Sequence, residues 1–263
     1  MAIEDRRAAA LEALSFEERT FAPSEGFRAR ANVRDPSVYA RAEEDLEGFW
    51  AAQAESLDWR RRWERVLDWE PPYARWFVGG QLNVSENCLD RHVRAGRGDR
   101  VAYHWEGEPG DTRTVTYADL LAETQRCANA LLELGVRKGD RVAIYMPMVP
   151  ELPAAMLACA RIGAPFTVVF GGFSAEALAG RIADSEAKVL VTADGGYRKG
   201  SVVPLKRNAD DALAATTTIE KVLVVRRTGG EVPWTADRDV WWHDIVSRQP
   251  ERCAPEPLDS EHM

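Results

Sequence analysis

The fold is decided by a stretch in which short apolar runs alternate with segments of helical periodicity: GDRVAIYMPMVPELPAAMLACARIGAPFTVVFGGFSAEALAGRIADSEAKVLVTADGGYRKG (residues 139–200). Three runs rich in β-branched residues predict strands, at 141–145, 165–169 and 188–192. Two segments with apolar residues at helical spacing separate them, at 150–162 and 175–185. A β-α-β-α-β order folds by right-handed crossovers, so we expect an α/β protein with a mostly parallel sheet and flanking helices.

Ligands of such sheets bind beyond the carboxyl ends of the strands. The predicted strands end at Met146-Pro147, at Phe170-Gly171-Gly172-Phe173 and at Asp194 to Gly200. We therefore expect any site to lie among these residues.

The strand end DGGYRKGS (194–201) carries the clearest signal for a ligand. Arg198 and Lys199 lie there between glycines, and two cations with accessible backbone amides suit an anionic group such as a nucleotide phosphate. A solvated basic turn explains the same residues equally well. Neither this segment nor Gly171-Gly172 has GxGxxG or GxxxxGK[ST] spacing, and no nucleophile triad, carboxylate pair or metal-ligand set stands out. The residues alone predict an anion site without a catalytic centre.

Composition indicates an acidic globular chain of one large domain, with or without an appendage. The 263 residues carry a net charge of −8, and 45% of them are hydrophobic. The acidic balance argues against nucleic-acid partners. No apolar run reaches membrane-spanning length, the N-terminus has no signal core, and the four cysteines form no CxxC pair. We expect a cytoplasmic protein that binds neither nucleic acid nor membrane; its oligomeric state stays open.

The N-terminal region is expected to differ from the rest. Residues 1–34 are predicted to be a mobile tail, with an Ala-rich run suited to a short helix, and a helix is predicted from Ser37. The segment WRRRWERVLDWEPPYARWF (59–77) interleaves tryptophans with arginines. This pattern fits a nucleic-acid stacking surface or aromatic anchors that dock an arm onto the main domain, and the acidic balance favours anchors.

Flanking elements complete the expected domain. Ser85 or Asn87 is expected to open a helix, 100–105 and 113–117 are predicted to form a hairpin, and Thr116 is predicted to cap a helix over 117–134. After the central stretch we expect the following elements: a helix over 202–215, a strand over 219–225, a loop over 226–239 and a short helix anchored by Trp241, Trp242 and Ile245. The final RQPERCAPEPLDSEHM offers no concluding core element, which indicates a chain cut within a domain.

Several of these segments resemble the N-terminal part of AMP-forming acetyl-CoA synthetases, members of the adenylate-forming superfamily. The matching segments are GGQLNVSENCLDRHV, the run from TYADLL to VTAD, and GYRKGSVVPLKRNADDAL. NCLDRH together with VVFGGFS is more particular to short-chain acyl-CoA synthetases. The resemblance covers about residues 35 to 263; it implies an N-terminal arm over 35–95 and, over 96–263, the incomplete N-terminal subdomain of an adenylate-forming enzyme.

The resemblance implies a two-step ligase with acetate, ATP and CoA as substrates. Acetate and ATP, assisted by Mg²⁺, give acetyl-adenylate and pyrophosphate, and the CoA thiol then gives acetyl-CoA and AMP. In the family, the loop matching DGGYRKGS contacts the 3′-phosphoadenosine end of CoA, which implies roles for Arg198, Lys199, Gly200 and Ser201. Ser201 stands where a second arginine is common, with Lys199 as a cation able to compensate. Gly172 matches a glycine where the backbone runs close to CoA.

The family's ATP phosphate loop, YTSGSTGKPKG-like, does not occur in the 263 residues, and neither do the acyl pocket or the C-terminal lysine of adenylation. We therefore expect no catalytic residue and no ligase activity from this chain alone, and an uncovered sheet edge. Three interpretations remain: part of an acetate–CoA ligase or of a propionyl-CoA synthetase, a non-catalytic CoA- or nucleotide-binding module, and an unrelated nucleotide-binding oxidoreductase, which the missing GxGxxG disfavours.

Overall fold

A computed structural model describes residues 19–263. Most of the expected tail, including its Ala-rich run, lies outside the described residues. The described part contains a short helix, α1 (Glu25–Arg30), whose N-cap Ser24 accepts a hydrogen bond from the amide of Phe27. The chain divides into two compact units between Trp50 and Ala51.

The described part of the first unit contains three helical segments joined by non-helical residues. It contains α1, α2 (Ser37–Glu44) and the beginning of α3 (Leu46–Ala54), which continues into the second unit. No residue of α1 or α2 is buried. The predicted helix from Ser37 is confirmed, although Asp45 leaves the helical conformation and divides α2 from α3.

The second unit begins with an antiparallel hairpin, β1 (Arg65–Glu70) and β2 (Tyr73–Val78). The rings of Trp59, Trp63 and Phe77 pack on one another beside it, with centroids 4.9 to 5.6 Å apart. Trp69 is 63% exposed, so its expected role as an anchor is wrong. A short strand, β3 (Gln81–Leu82), follows.

A helical run at 84–97 confirms the helix expected after Gly80, although much of it consists of wide π-type turns at Glu86–Asp90 and Val93–Arg97. Asn83, just before it, donates to the carbonyls of Ala160, Arg161 and Glu256 at 2.9 to 3.1 Å. The buried Arg161 in turn donates two hydrogen bonds to Asp90, at 2.8 and 2.9 Å. These side chains satisfy carbonyls at a helix end and join this segment to the α/β core.

The remaining elements follow the predicted order closely. They are β4 (Val101–Glu106), β5 (Thr112–Thr116), α4 (Tyr117–Glu133), β6 (Val142–Met146), α5 (Glu151–Ile162), β7 (Phe166–Phe170), α6 (Ala175–Ser185), β8 (Val189–Ala193), β9 (Gly196–Arg198), β10 (Ser201–Val203), α7 (Leu205–Leu213), β11 (Lys221–Val225), β12 (Asp239–Trp241), α8 (Trp242–Ile245) and β13 (Leu258–Asp259). Thr116 and Ser174 cap α4 and α6 as predicted.

Most predicted strands are shifted by one or two residues, and two further boundaries differ because a short strand was not predicted. The helix expected over 202–215 begins only at Leu205, because Val202 and Val203 belong to β10. The loop expected over 226–239 ends one residue early, because Asp239 begins β12 at the edge of the sheet. Both misplaced segments are three-residue strands, which are too short to show a period in the sequence.

The core is a five-stranded, fully parallel sheet with the order β12-β11-β8-β6-β7. Right-handed crossovers place α5 on one face, and α6 and α7 on the other, because the chain reverses direction across the sheet after β7. Accordingly, α5 packs with α4, and α6 packs with α7. The predicted α/β fold is confirmed, and the reversal places a topological switch point at β6.

One edge of the sheet, β7, exposes large apolar side chains. Phe166, Val168 and Phe170 alternate along it and are 36%, 44% and 53% exposed. Their position agrees with the expected uncovered edge.

Candidate functional site

A cavity of about 250 Å³ opens at the carboxyl ends of three neighbouring strands. Its walls include residues that follow β6, β7 and β8, namely Pro147, Met148, Gly171, Gly172, Gly196, Tyr197 and Arg198. This is the edge of the sheet at which the strand ends predicted a site, next to the switch point at β6. The β4–β5 hairpin and Arg227, which follows β11, close the other side.

Arg198 and Gly172 meet inside this cavity. The Arg198 guanidinium lies over the ring of Phe170, 5.2 Å from its centroid. A Cβ atom placed on Gly172 would collide with that guanidinium and would come within 2.7 Å of the Phe170 ring. A larger residue here would displace the Arg198 guanidinium from its place over the ring, so glycine permits this close approach of backbone, cation and ring.

Tyr145 supports the turn that contains Gly172. Its buried hydroxyl donates to the carbonyl of Phe173 at 2.9 Å, and the amide of Asn208 reaches the same hydroxyl at 3.4 Å. Burial raises the pKa of Tyr145, against the opposing effect of the hydrogen bond from Asn208, so the phenol stays protonated and remains a donor.

The segment expected as a loop at 194–201 is an antiparallel hairpin of β9 and β10. Lys199 and Gly200 form its two-residue turn with φ of 52° and 74°, the left-handed pair typical of a type I′ hairpin. Ser201 lies directly opposite Arg198 in the register, so the two side chains share one face. Arg198, Lys199, Gly200 and Ser201 are all exposed. Among residues 19–263, neither Arg198 nor Lys199 has a carboxylate within ion-pair distance.

Asp194 fixes the base of this hairpin. Its buried carboxylate accepts hydrogen bonds at 2.6 to 3.1 Å from the amides of Gly195, Arg227, Thr228 and Gly229. The loops after β8 and β11 are therefore held together by a single side chain that does not line the cavity.

Arg227 joins the β4–β5 hairpin to the site. Its guanidinium donates to both carboxylate oxygens of Asp111, at 2.6 and 2.9 Å, and lies 5.0 Å from the ring centroids of both Trp105 and Tyr197. These hydrogen bonds hold the pKa of Asp111 below its ordinary value of 3.8. The planar guanidinium therefore donates to the carboxylate and packs against two aromatic rings at the same time.

The structure thus brings Gly172 and Arg198 to one cavity, whereas Lys199, Gly200 and Ser201 lie in the adjoining hairpin and do not line it. Sequence reasoning missed Phe170 as the ring beneath Arg198, and it missed Trp105, Glu108 and Arg227. Arg227 carried a usable signal, because it follows a predicted strand and strand ends line the site.

Mg²⁺ binds through oxygen ligands, chiefly carboxylates. Within the described part of the chain, no three His, Cys, Asp or Glu side chains are grouped closely enough to hold a metal ion. The residues of this part of the chain therefore do not fit the Mg²⁺ implied by the resemblance. In residues 19–263, no helix combines the length and apolar character needed to cross a bilayer.

Comparison with known proteins agrees with the geometry. The family model for the AMP-binding enzyme matches residues 89–263, and the model for the acetyl-coenzyme A synthetase N-terminus matches residues 36–88. These ranges together cover the α/β core and the segment that precedes it.

Similar proteins called acetyl-coenzyme A synthetase occur in several bacteria. The protein of Rubrobacter xylanophilus is 60% identical over 93% of this chain, and that of Streptomyces avermitilis is 58% identical over 94%. The protein of Gemmatimonas aurantiaca is 54% identical over 96% of the chain. The chain spans only 38 to 40% of the length of these relatives. With its sheet, its strand-end cavity and the match to two thirds of its length, the chain belongs to the AMP-binding enzyme family.

Proposed function

We propose that this chain supplies the CoA-phosphate-binding part of an AMP-forming acetate–CoA ligase. The observation that carries the proposal is Arg198, a cation without a carboxylate partner at the mouth of a strand-end cavity. The relatives are named acetyl-coenzyme A synthetase, and the family resemblance implies acetate, ATP and CoA as the substrates of the complete enzyme.

In this proposal, the cavity residues bind and orient one end of CoA. Arg198 and Lys199 offset the charge of the 3′-phosphate, and the bare backbone at Gly172 leaves room for the Arg198 guanidinium to face the nucleotide from the cavity wall. The ring of Phe170 holds Arg198 from below, which lowers the entropy lost when the cation engages a ligand. Opposite Arg198, Ser201 offers a hydroxyl in place of a second cation.

We further propose that the 263-residue chain alone does not join acetate to CoA. No YTSGSTGKPKG-like segment occurs in its sequence, so nothing in it matches the family's device for stabilising the charge that develops on a transferring phosphate. Acetate-dependent release of pyrophosphate by the purified chain would contradict this. Propionate in place of acetate, and the expected location in the cytoplasm, remain predictions.

A non-catalytic CoA-binding module is the second candidate, and the same cavity supports it. The two candidates differ when the rest of a relative is supplied. Restored acetyl-CoA formation on mixing this chain with the remaining segment of the Rubrobacter xylanophilus protein would favour the ligase part.

Calorimetric titration with CoA tests the site itself. Because a charge-assisted hydrogen bond is lost, Arg198→Ala should weaken CoA binding about tenfold, with an unchanged melting temperature. Arg207→Ala removes the same charge from an exposed position on α7 and should leave binding within about twofold. Equal affinities of both variants, or no binding by the unaltered chain, would overturn the proposal.

A further inference from the structure

The loop between β4 and β5 touches the turn of the β9–β10 hairpin. Its Glu108 accepts a hydrogen bond at Oε1 from the backbone amide of Gly200, at 2.6 Å. A negative charge from a distant part of the chain therefore lies at the turn between Arg198 and Ser201, where the proposed function expects a phosphate.

The contact is held by more than one bond. Arg227 is paired with Asp111 at the end of the same loop and is flanked by the rings of Trp105 and Tyr197, one from each hairpin. The indole of Trp105 also donates to the carbonyl of Met148 at 2.8 Å. The loop that carries Glu108 is thus tied to two walls of the cavity.

A carboxylate and a phosphate compete for the same donors. Both accept hydrogen bonds from backbone amides and both are attracted by nearby cations. A ligand group with a single negative charge gains little binding free energy when it replaces the Glu108 carboxylate, because the two groups make similar interactions. A phosphate monoester carries a charge of about −1.5 to −2 and three acceptor oxygens, so it gains from the exchange.

We propose that Glu108 is a specificity-determining residue. In the free chain its carboxylate accepts the hydrogen bond of the Gly200 amide, and only a phosphate monoester displaces it. The proposal rests on the function proposed above and deepens it. The cost of displacing Glu108 lowers the affinity for CoA. A ligand that does not reach the turn leaves Glu108 in place and is unaffected.

The test is a set of calorimetric titrations with CoA and with dephospho-CoA, which lacks the 3′-phosphate. Glu108→Ala should bind CoA about fivefold more tightly than the unaltered chain and should bind dephospho-CoA equally. Glu220→Ala removes the same charge from an exposed position just before β11, outside the cavity, and should change CoA affinity by less than about twofold. Glu108 is exposed, so its replacement should leave the fold intact.

The outcomes separate this inference from the proposed function. CoA binding by the unaltered chain with no tightening in Glu108→Ala would overturn the inference alone. Equal tightening for both ligands, or equal tightening in Glu220→Ala, would also overturn it, because the effect would then be general electrostatics. No CoA binding by any of the three proteins would overturn both. A gain confined to Glu108→Ala and to CoA supports it.

Discussion

Two groups of cations lie close together in sequence, and they differ in their partners. In the buried group, Lys206 is fully inaccessible, and its ammonium lies 2.8 Å from Asp210, 2.9 Å from Asp239 and 3.0 Å from the carbonyl of Pro233. Arg238 pairs with the same two aspartates at 2.6 Å. In the cavity group, Arg198 and Lys199 are exposed, and no ion pair involves them in residues 19–263.

The difference teaches how to tell a structural cation from a binding cation. A buried ammonium is stable only with its three donors satisfied, so the Lys206 cluster has nothing left for a ligand. An exposed cation loses little free energy when it remains unpaired in water. It contributes to binding when a cavity holds an anionic ligand beside it. We therefore assign a role in stability to the buried group and a role in ligand binding to the cavity group.

The largest expected effect comes from a substitution that breaks the ion pairs of the buried group. Lys206→Met should lower the free energy of unfolding by about 2–3 kcal/mol, because it removes the ammonium buried between Asp210 and Asp239 and leaves Arg238 as their remaining cation partner. Lys199→Met makes the same replacement in the exposed group and should stay within about 0.5 kcal/mol. Urea denaturation followed by circular dichroism measures both, and equal losses would remove the distinction between the groups.

Gly172→Ala disturbs the cavity group without changing a charge. The added Cβ must push the Arg198 guanidinium off the ring of Phe170, so CoA affinity should fall about tenfold in a calorimetric titration. Gly180→Ala adds a methyl group on α6 where no atom lies within 4 Å, so affinity should stay constant. A Gly172→Ala chain with unaltered affinity would show that the close approach does not matter for binding.

Ser201→Arg strengthens the cavity group. A second guanidinium would lie beside Arg198 on the same face of the hairpin, which should tighten CoA binding about threefold to fivefold. Val202→Arg places the same charge on the opposite face, because successive side chains alternate along a strand. If both variants tighten binding equally, position in the hairpin is irrelevant.

The smallest expected effect is a dependence of stability on acid. Burial raises the pKa of Asp239, but hydrogen bonds from Arg238, the amide of Thr235 and Lys206 outweigh it and hold the pKa below the ordinary value of 3.8. Its stabilisation is therefore complete above that pH and is lost as the pH falls through the folded-state pKa. Denaturation at pH 6 and at pH 3 should show a smaller difference in Asp239→Asn than in the unaltered chain.

Most of the fold followed from the sequence because its determinants are local. Thr116 and Ser174 bond to amides three residues away, and the apolar periods of α5 and β8 lie within single elements. The β9–β10 hairpin escaped prediction because a Lys-Gly turn is a weaker signal in the sequence than Asn-Gly, and because the helix predicted over 202–215 included residues of β10. Lys206 reads as a surface residue and is buried by aspartates at 210 and 239, which the helix pattern does not reveal.

The site was predictable in its position and only partly in its members. Strand ends identified Gly172 and Arg198, since the carboxyl ends of parallel strands meet at one edge. The pairing of Arg227 with Asp111, and of Glu108 with Gly200, joins residues that no local pattern relates. Such contacts are set by how the β4–β5 hairpin folds over the sheet.

Asp194 has a consequence for the way this protein tolerates change. Its carboxylate orders both the hairpin that carries Arg198 and the loop that carries Arg227, yet it does not line the cavity. Four backbone amides donate to its two carboxylate oxygens. Even Asp194→Asn would leave them a single acceptor oxygen. A search restricted to ligand contacts would overlook Asp194, although its replacement should disorder both walls of the cavity. We expect related sequences to keep an aspartate at position 194 even where position 201 varies.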